Sequence, residues 1–189
     1  YILVAIALSI PLISDFALPP APMETASAFF RTIDAIKPTP GKIVLIAMDW
    51  GPGTKAENEP QTAVTVEHLL RKRIPFMLIS NYPYATPLMD SVPKAVVERL
   101  MRENPTESWE YGKDWVNFGY RPGGFIMVQG LAKAKNLQEV LKTDVKGVPV
   151  AEISAMKDVK TIRDIQLLAE FTGLVGAFDY WIQYFVGEN

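Results

Sequence analysis

Lys42-Ile43-Val44-Leu45-Ile46-Ala47-Met48-Asp49-Trp50-Gly51-Pro52-Gly53-Thr54 decides the class of fold. The apolar run is continuous, where a half-exposed strand would alternate with polar residues. A strand buried on both faces reads this way, as in a parallel sheet covered by helices. Gly41 opens the run, and a Gly-rich turn closes it at Asp49. Pro75-Phe76-Met77-Leu78-Ile79-Ser80 repeats the pattern as a second buried strand. Between the two, a helix is expected to start at Asn58, with Gln61 at capping-box spacing and Pro60 in the first turn. Ala63, Val66 and Leu70 form its inward stripe, and Arg71, Lys72 and Arg73 suit the negative end of its dipole.

Further along, Ser91 to Arg102 carries Val92, Ala95, Val96 and Leu100 on one helical face. Trp115 to Phe118 reads as a short strand followed by the loop Gly119-Tyr120-Arg121-Pro122-Gly123-Gly124. Phe125 to Leu131 fits a strand or a helix equally well. Asp164 to Phe171 reads as a strand ending at Thr172-Gly173, and Ala177 to Val186 as an aromatic-rich helix. Upstream, Ala26 to Ile36 has helical spacing and stops before Pro38 and Pro40. Strands alternating with helices imply an α/β, three-layer, mostly parallel sheet of the Rossmann-like or flavodoxin-like kind.

Composition narrows the function. The chain has 189 residues with no Cys and one His, so thiolate chemistry, disulfides and Cys-ligated metals are excluded. Its formal net charge of −2 argues against a nucleic-acid partner, which needs a basic excess. No cofactor and no metal site is expected: Asp49, Glu57 and Glu59 match no metal-loop spacing.

Residues 1–13 carry none of the 19 Lys and Arg or 21 Asp and Glu residues. This run is apolar on every side, as a lipid-embedded helix is. It is shorter than the roughly 20 residues a span needs. The expectation is the end of a transmembrane helix whose start precedes Tyr1, with a signal peptide or a buried core segment as alternatives. Residues 14–24 contain Pro19, Pro20 and Pro22 and read as a stiff stalk. Residues 25–189 form the α/β domain, expected to continue past Asn189. With Asp15 the first charge and no Lys or Arg before Arg31, the domain is expected to be extracytoplasmic.

Ligands of open parallel sheets bind beyond the carboxyl ends of the strands. The loops there hold Asp49, Trp50, Gly51 and Gly53; then Tyr120 and Arg121; then Glu170 and Thr172. If they converge, Asp49 and Glu170 can act as an acid–base pair and Arg121 as an anion clamp. Alternatively Arg121 bonds strand-end carbonyls or pairs with Glu170. Gly51-Pro52-Gly53-Thr54-Lys55-Ala56 formally fits a dinucleotide-binding turn. Glu57 and Glu59 would repel a pyrophosphate there, and Ser80-Asn81 lacks the acidic residue that binds a ribose. His68 lies mid-helix with no nucleophile elbow to serve and reads as an ordinary surface or half-buried histidine. Tyr180, Trp181, Tyr184 and Phe185 suit either a partner contact or the packing of the last helix on the sheet.

The segments Met48-Asp49-Trp50-Gly51-Pro52-Gly53-Thr54, Asn117-Phe118-Gly119-Tyr120-Arg121-Pro122-Gly123-Gly124 and Ile182-Gln183-Tyr184 resemble a family of uncharacterised bacterial membrane proteins. The resemblance covers most of residues 40–186. It implies an α/β domain between terminal membrane helices, with a second such helix after Asn189, and it supplies no activity. Two functions are expected from all this. One is a membrane-anchored, non-catalytic accessory subunit, bound to lipid through residues 1–13 and to other membrane subunits or itself. The other is an enzyme or small-ligand-binding domain using Asp49, Arg121 and Glu170.

Overall fold

The computed structural model describes residues 1–13 and 23–186. Residues 14–22, most of the expected stalk, lie outside the described residues, as do 187–189. The chain divides into two compact units, Tyr1–Thr32 and Ile33–Asn189. In the first, α1 (Ile2–Ile13) realises the charge-free segment as a helix, with Ile2, Leu3 and Val4 exposed. Its 12 residues rise about 18 Å against a bilayer core of about 30 Å. No helix among the described residues is long and apolar enough to cross a membrane. Next, α2 (Glu24–Ala35) opens one residue inside the expected stalk, at an acidic residue suited to a helix start.

The second unit contains a four-stranded, all-parallel sheet of order β3-β2-β1-β4. Its central strand β1 (Ile43–Asp49) is buried at every position, as its unbroken apolar run requires. Then come α3 (Lys55–Arg71), β2 (Phe76–Ser80), α4 (Thr86–Glu103) and β3 (Trp115–Tyr120). After these, α5 (Phe125–Ala132) and α6 (Leu137–Leu141) lead through short turns to β4 (Ile165–Thr172). The last helix, α7 (Ala177–Trp181), continues into a π turn, Ile182–Val186.

The two crossovers from β1 to β3 run in one direction, and α3 and α4 cover one face together with Ile33 of α2. The return to β4 runs the other way and places α5 and α6 on the opposite face, where α7 joins them after β4. A crossover of fixed hand changes face when it changes direction. Alternate residues of β1 serve the two cores: Val44, Ile46 and Met48 face α3 and α4, and Ile43, Leu45 and Ala47 face α5 and α7.

Several local expectations need correction. Asn58 is not an N-cap: the 3-10 turn Pro52–Thr54 runs directly into α3, so Asn58 lies inside the helix and donates to the Thr54 carbonyl at 3.2 Å. Pro60 is likewise interior. Phe125 to Leu131 is helical, with Val128 and Leu131 in the core. The third strand extends to Tyr120, and the helix expected from Ser91 starts at Thr86, on the turn Pro83–Ala85. On the outer face, Arg71 and Arg99 bridge Glu67 of α3 and Glu103 of α4.

One glycine marks where the chain closes on itself. A Cβ at Gly173 would lie 2.9 Å from Thr54 Cβ, a contact that no rotation of Thr54 relieves, whereas a Cβ at Gly53 meets nothing within 4 Å. Gly173→Ala is therefore expected to lower stability by about 1–3 kcal/mol. Gly53→Ala should leave the urea midpoint nearly unchanged. Equilibrium urea unfolding of both variants checks the contrast.

Candidate functional site at the carboxyl ends of the strands

The direction of the chain reverses between β1 and β4, where open α/β sheets hold their ligands. Asp49 ends β1 opposite Thr172 of β4, and Glu170 lies opposite Ala47. Both carboxylates belong to the α7 side of the sheet, because Ala47 faces that core and side chains alternate along a strand.

Asp49 is fully buried. Its Oδ1 accepts the Asn81 backbone N–H at 2.5 Å, and its Oδ2 accepts the Trp181 Nε1–H at 3.0 Å. The Ser80 hydroxyl lies 3.1 Å from Oδ1 and 2.6 Å from the Met48 carbonyl, with one proton to offer between them. The Asp49 carbonyl accepts Gly173 N–H at 3.1 Å and Thr172 Oγ1–H at 3.2 Å. Asp49 thus holds the ends of β1, β2 and β4 and the end of α7 together. Both carboxylate oxygens of Asp49 are thus engaged by donors of the fold itself.

The rest of this edge is tightly filled. Trp50 is fully buried, on the α3–α4 side. A Cβ at Gly51 would meet the Tyr82 ring at 2.9 Å, and Gly173 lies against Thr54. Gly51 of this turn therefore admits the Tyr82 ring at close approach, while Gly53 faces open space.

Glu170 has the opposite environment. Both its carboxyl oxygens are buried without a hydrogen-bond partner. Burial, followed by the charges of Asp49 and Asp179, pushes its carboxyl up from an ordinary 4.5 to about 8. Glu170 lines a cavity of about 550 Å³ between β4 and α7, with Gln166, Leu168, Phe178, Trp181 and Ile182 among its walls. The Gln166 side-chain N–H group is also buried and unpartnered.

Arg121 does not join them. It follows β3 at the far side of the sheet, and β3 and β4 are three strand spacings apart, about 14 Å. Its Nε donates to the Phe118 carbonyl at 3.0 Å and its Nη2 to the Thr143 carbonyl at 2.6 Å. Burial lowers its pKa. This is the strand-end carbonyl role. It replaces both the anion clamp and the pairing with Glu170. Tyr120 is partly exposed on the same remote edge. The cleft joining Asp49, Arg121 and Glu170 is therefore corrected: strand order separates the arginine from the two acids.

Of the terminal aromatics, Trp181 and Phe185 are buried in the domain's own core, in edge-to-face contact at 5.2 Å. Tyr180 and Tyr184 are half-buried against the same core. The outward apolar side chains of this segment are Phe178 and Ile182. With Phe178, Ile182 and Gln166, the structure adds residues that sequence reading passed over. A helix rich in aromatics all round does not show which side faces out. His68 is mostly buried, with Nε2 3.4 Å from Asp34 Oδ1. Glu59 pairs with Lys55 at 3.5 Å. No group of three His, Asp or Glu side chains among the described residues is placed to hold a metal.

No protein-family model, no curated protein and no solved structure matches this chain.

Two outcomes follow for the carboxylates. Asp49→Asn would turn an N–H group toward one of the donors now satisfied by Asp49, and is expected to cost about 2–3 kcal/mol in urea unfolding. For Glu170, the unfolded carboxyl ionises near 4.5 while the folded one keeps its proton up to about 8. The folded state binds the extra proton, so stability is fully present below pH 4.5 and falls as the pH rises through about 8. Glu170→Gln should flatten this decline and gain about 1–2 kcal/mol over the wild type at pH 9, solvent screening included. Thermal melts from pH 5 to 9 measure it.

Proposed function

We propose that this chain is a non-catalytic interaction domain, an accessory subunit of a membrane protein assembly, anchored through residues 1–13. The observation that carries the reading is the exposure of large apolar side chains on α5 and the last helix. Phe125 and Ile126 of α5 are 48% and 63% exposed, and Phe178 and Ile182 are 53% and 45% exposed. The Phe125 and Tyr180 rings lie 6.2 Å apart, so α5 and α7 pack side by side, while Phe178 and Ile182, each two residues from Tyr180, stand on the β4 side of α7. No charged residue occurs in α5. Side chains of this size grouped in water mark a contact surface for another apolar surface. The occupant proposed is the apolar face of a partner membrane subunit.

The site chemistry supports the same reading. Asp49 and Arg121 are both occupied by contacts within the fold, which leaves Glu170 without a catalytic companion. The anchor is supported by the apolar composition of α1 and the exposure of Ile2, Leu3 and Val4. The resemblance to proteins with terminal membrane helices supports it too. The strand order β3-β2-β1-β4 matches the first four strands of a Rossmann-like sheet, so the scaffold is of a ligand-binding kind put to an interaction role.

The test places a photo-crosslinking residue at Ile126 in the full chain within its native membrane, with a second at Lys113 as control. A discrete adduct from Ile126 alone is expected, and Ile126→Asp should reduce recovery of the assembly at least tenfold while leaving the melting temperature unchanged. Equal crosslinking at both sites, or an assembly indifferent to Ile126→Asp, would overturn the reading.

A further inference from the structure

The geometry points to a binding site for an organic ammonium ion, a molecule with a cationic nitrogen on an apolar body, seated between β4 and α7 with its nitrogen against Glu170. The cavity is of small-molecule size, about 550 Å³. Its walls are mostly apolar, and Phe178, Trp181 and Phe185 supply aromatic rings, whose faces attract cations. Its polar groups are Glu170 and Gln166, and the Glu170 carboxyl oxygens and Gln166 Nε2 are buried without partners. An unpaired buried carboxyl costs stability unless a ligand completes it.

Charge selects the ligand class. The charged groups facing Glu170 are Asp49 from β1 and Asp179 from α7, both acidic. Among the described residues no Lys, Arg or His lines the cavity, and α5 contributes no charge. An anion would be repelled by the charges of Asp49 and Asp179. A neutral apolar ligand would leave the Glu170 oxygens unpaired. An inorganic metal ion needs several oxygen ligands, and the cavity offers one carboxylate among apolar walls. An organic cation satisfies both the acid and the rings, and Gln166 Nε2–H remains free to donate to an oxygen on its body.

Binding carries a proton balance. In the empty site near pH 7 the Glu170 carboxyl keeps its proton, as the site's burial and its two acidic neighbours dictate. When the cation docks, Glu170 releases that proton to solvent and the carboxylate pairs with the nitrogen. One proton therefore leaves for each cation bound, and apparent affinity rises with pH.

The experiment is calorimetric titration of the full chain with benzylammonium, which stays protonated from pH 6 to 8 and donates N–H to a carboxylate, and with benzyl alcohol as the neutral control. The cation should bind at least tenfold tighter than the alcohol at pH 8. Its affinity should rise about tenfold from pH 6 to 7 and about fivefold from pH 7 to 8. Glu170→Gln should weaken binding at least tenfold and abolish the pH dependence. Phe178→Leu, at an exposed position where the fold does not depend on the ring, should weaken it about threefold. It decides the matter if Glu170→Gln fails to fold. Equal affinity for the two compounds, or variants that bind as the wild type does, would overturn the proposal. It is read independently of the partner contact at Ile126, so either can fail alone.

Discussion

A carboxylate removed from water at the end of the central strand must be answered by donors, because its desolvation otherwise costs several kcal/mol. Asp49 is in that position, at 0% exposure, and the donors come from distant parts of the chain. One is the backbone N–H of Asn81, 32 residues on, and the other is the indole of Trp181, 132 residues on. Meeting this one requirement orients the turn after β2 and seats the last helix over the sheet. The wall of the cavity, the burial of Phe185 and the outward placement of Phe178 and Ile182 all follow from where Trp181 is held.

Glu170 shows how much a small displacement changes a carboxyl group. It belongs to the strand beside Asp49, on the same side of the sheet, two register positions earlier. The donors that reach Asp49 do not reach it, and Asp49 itself acts on it as a like charge. One acid is fastened into the fold; the other is left facing a cavity that acidic neighbours have made favourable to positive charge. The same environment that raises the Glu170 pKa is the one that would recruit a cation, so the group's protonation and its occupancy are two readings of one electrostatic situation.

Strand order decided which residues could share a site. The first three strands step outward from the centre, and the fourth returns to the other side of β1. Arg121 and Glu170, alike in standing beside strand-end glycines, are thereby carried to opposite edges. Arg121 turns back on the carbonyls of Phe118 and Thr143, as a cation does when no anion is within reach. The pairing of α5 and α7 arises the same way, since the return crossover carries α5, and α7 after β4 follows it, to the side away from α3 and α4.

Much of the fold was legible in single segments. Unbroken apolar runs mark β1 and β2 as doubly buried strands, since a strand with one wet face must alternate. Strand-breaking glycines mark the ligand-side edge. The start of α3 was not legible, because the Pro52–Thr54 turn supplies the first turn that a cap at Asn58 would otherwise supply. Phe125 to Ala132 is apolar enough for either a strand or a helix, and only its packing on the last helix selects the helix. The sequence by itself determined the α/β class, the two central strands and the absence of thiol chemistry, because burial pattern and residue type are local properties. The tertiary structure alone decided that Asp49 is a structural anchor, that Glu170 is an unpartnered acid, and that Arg121 is remote from both. Those roles depend on which donors and charges arrive from segments far apart in the chain, and no local pattern encodes that arrival.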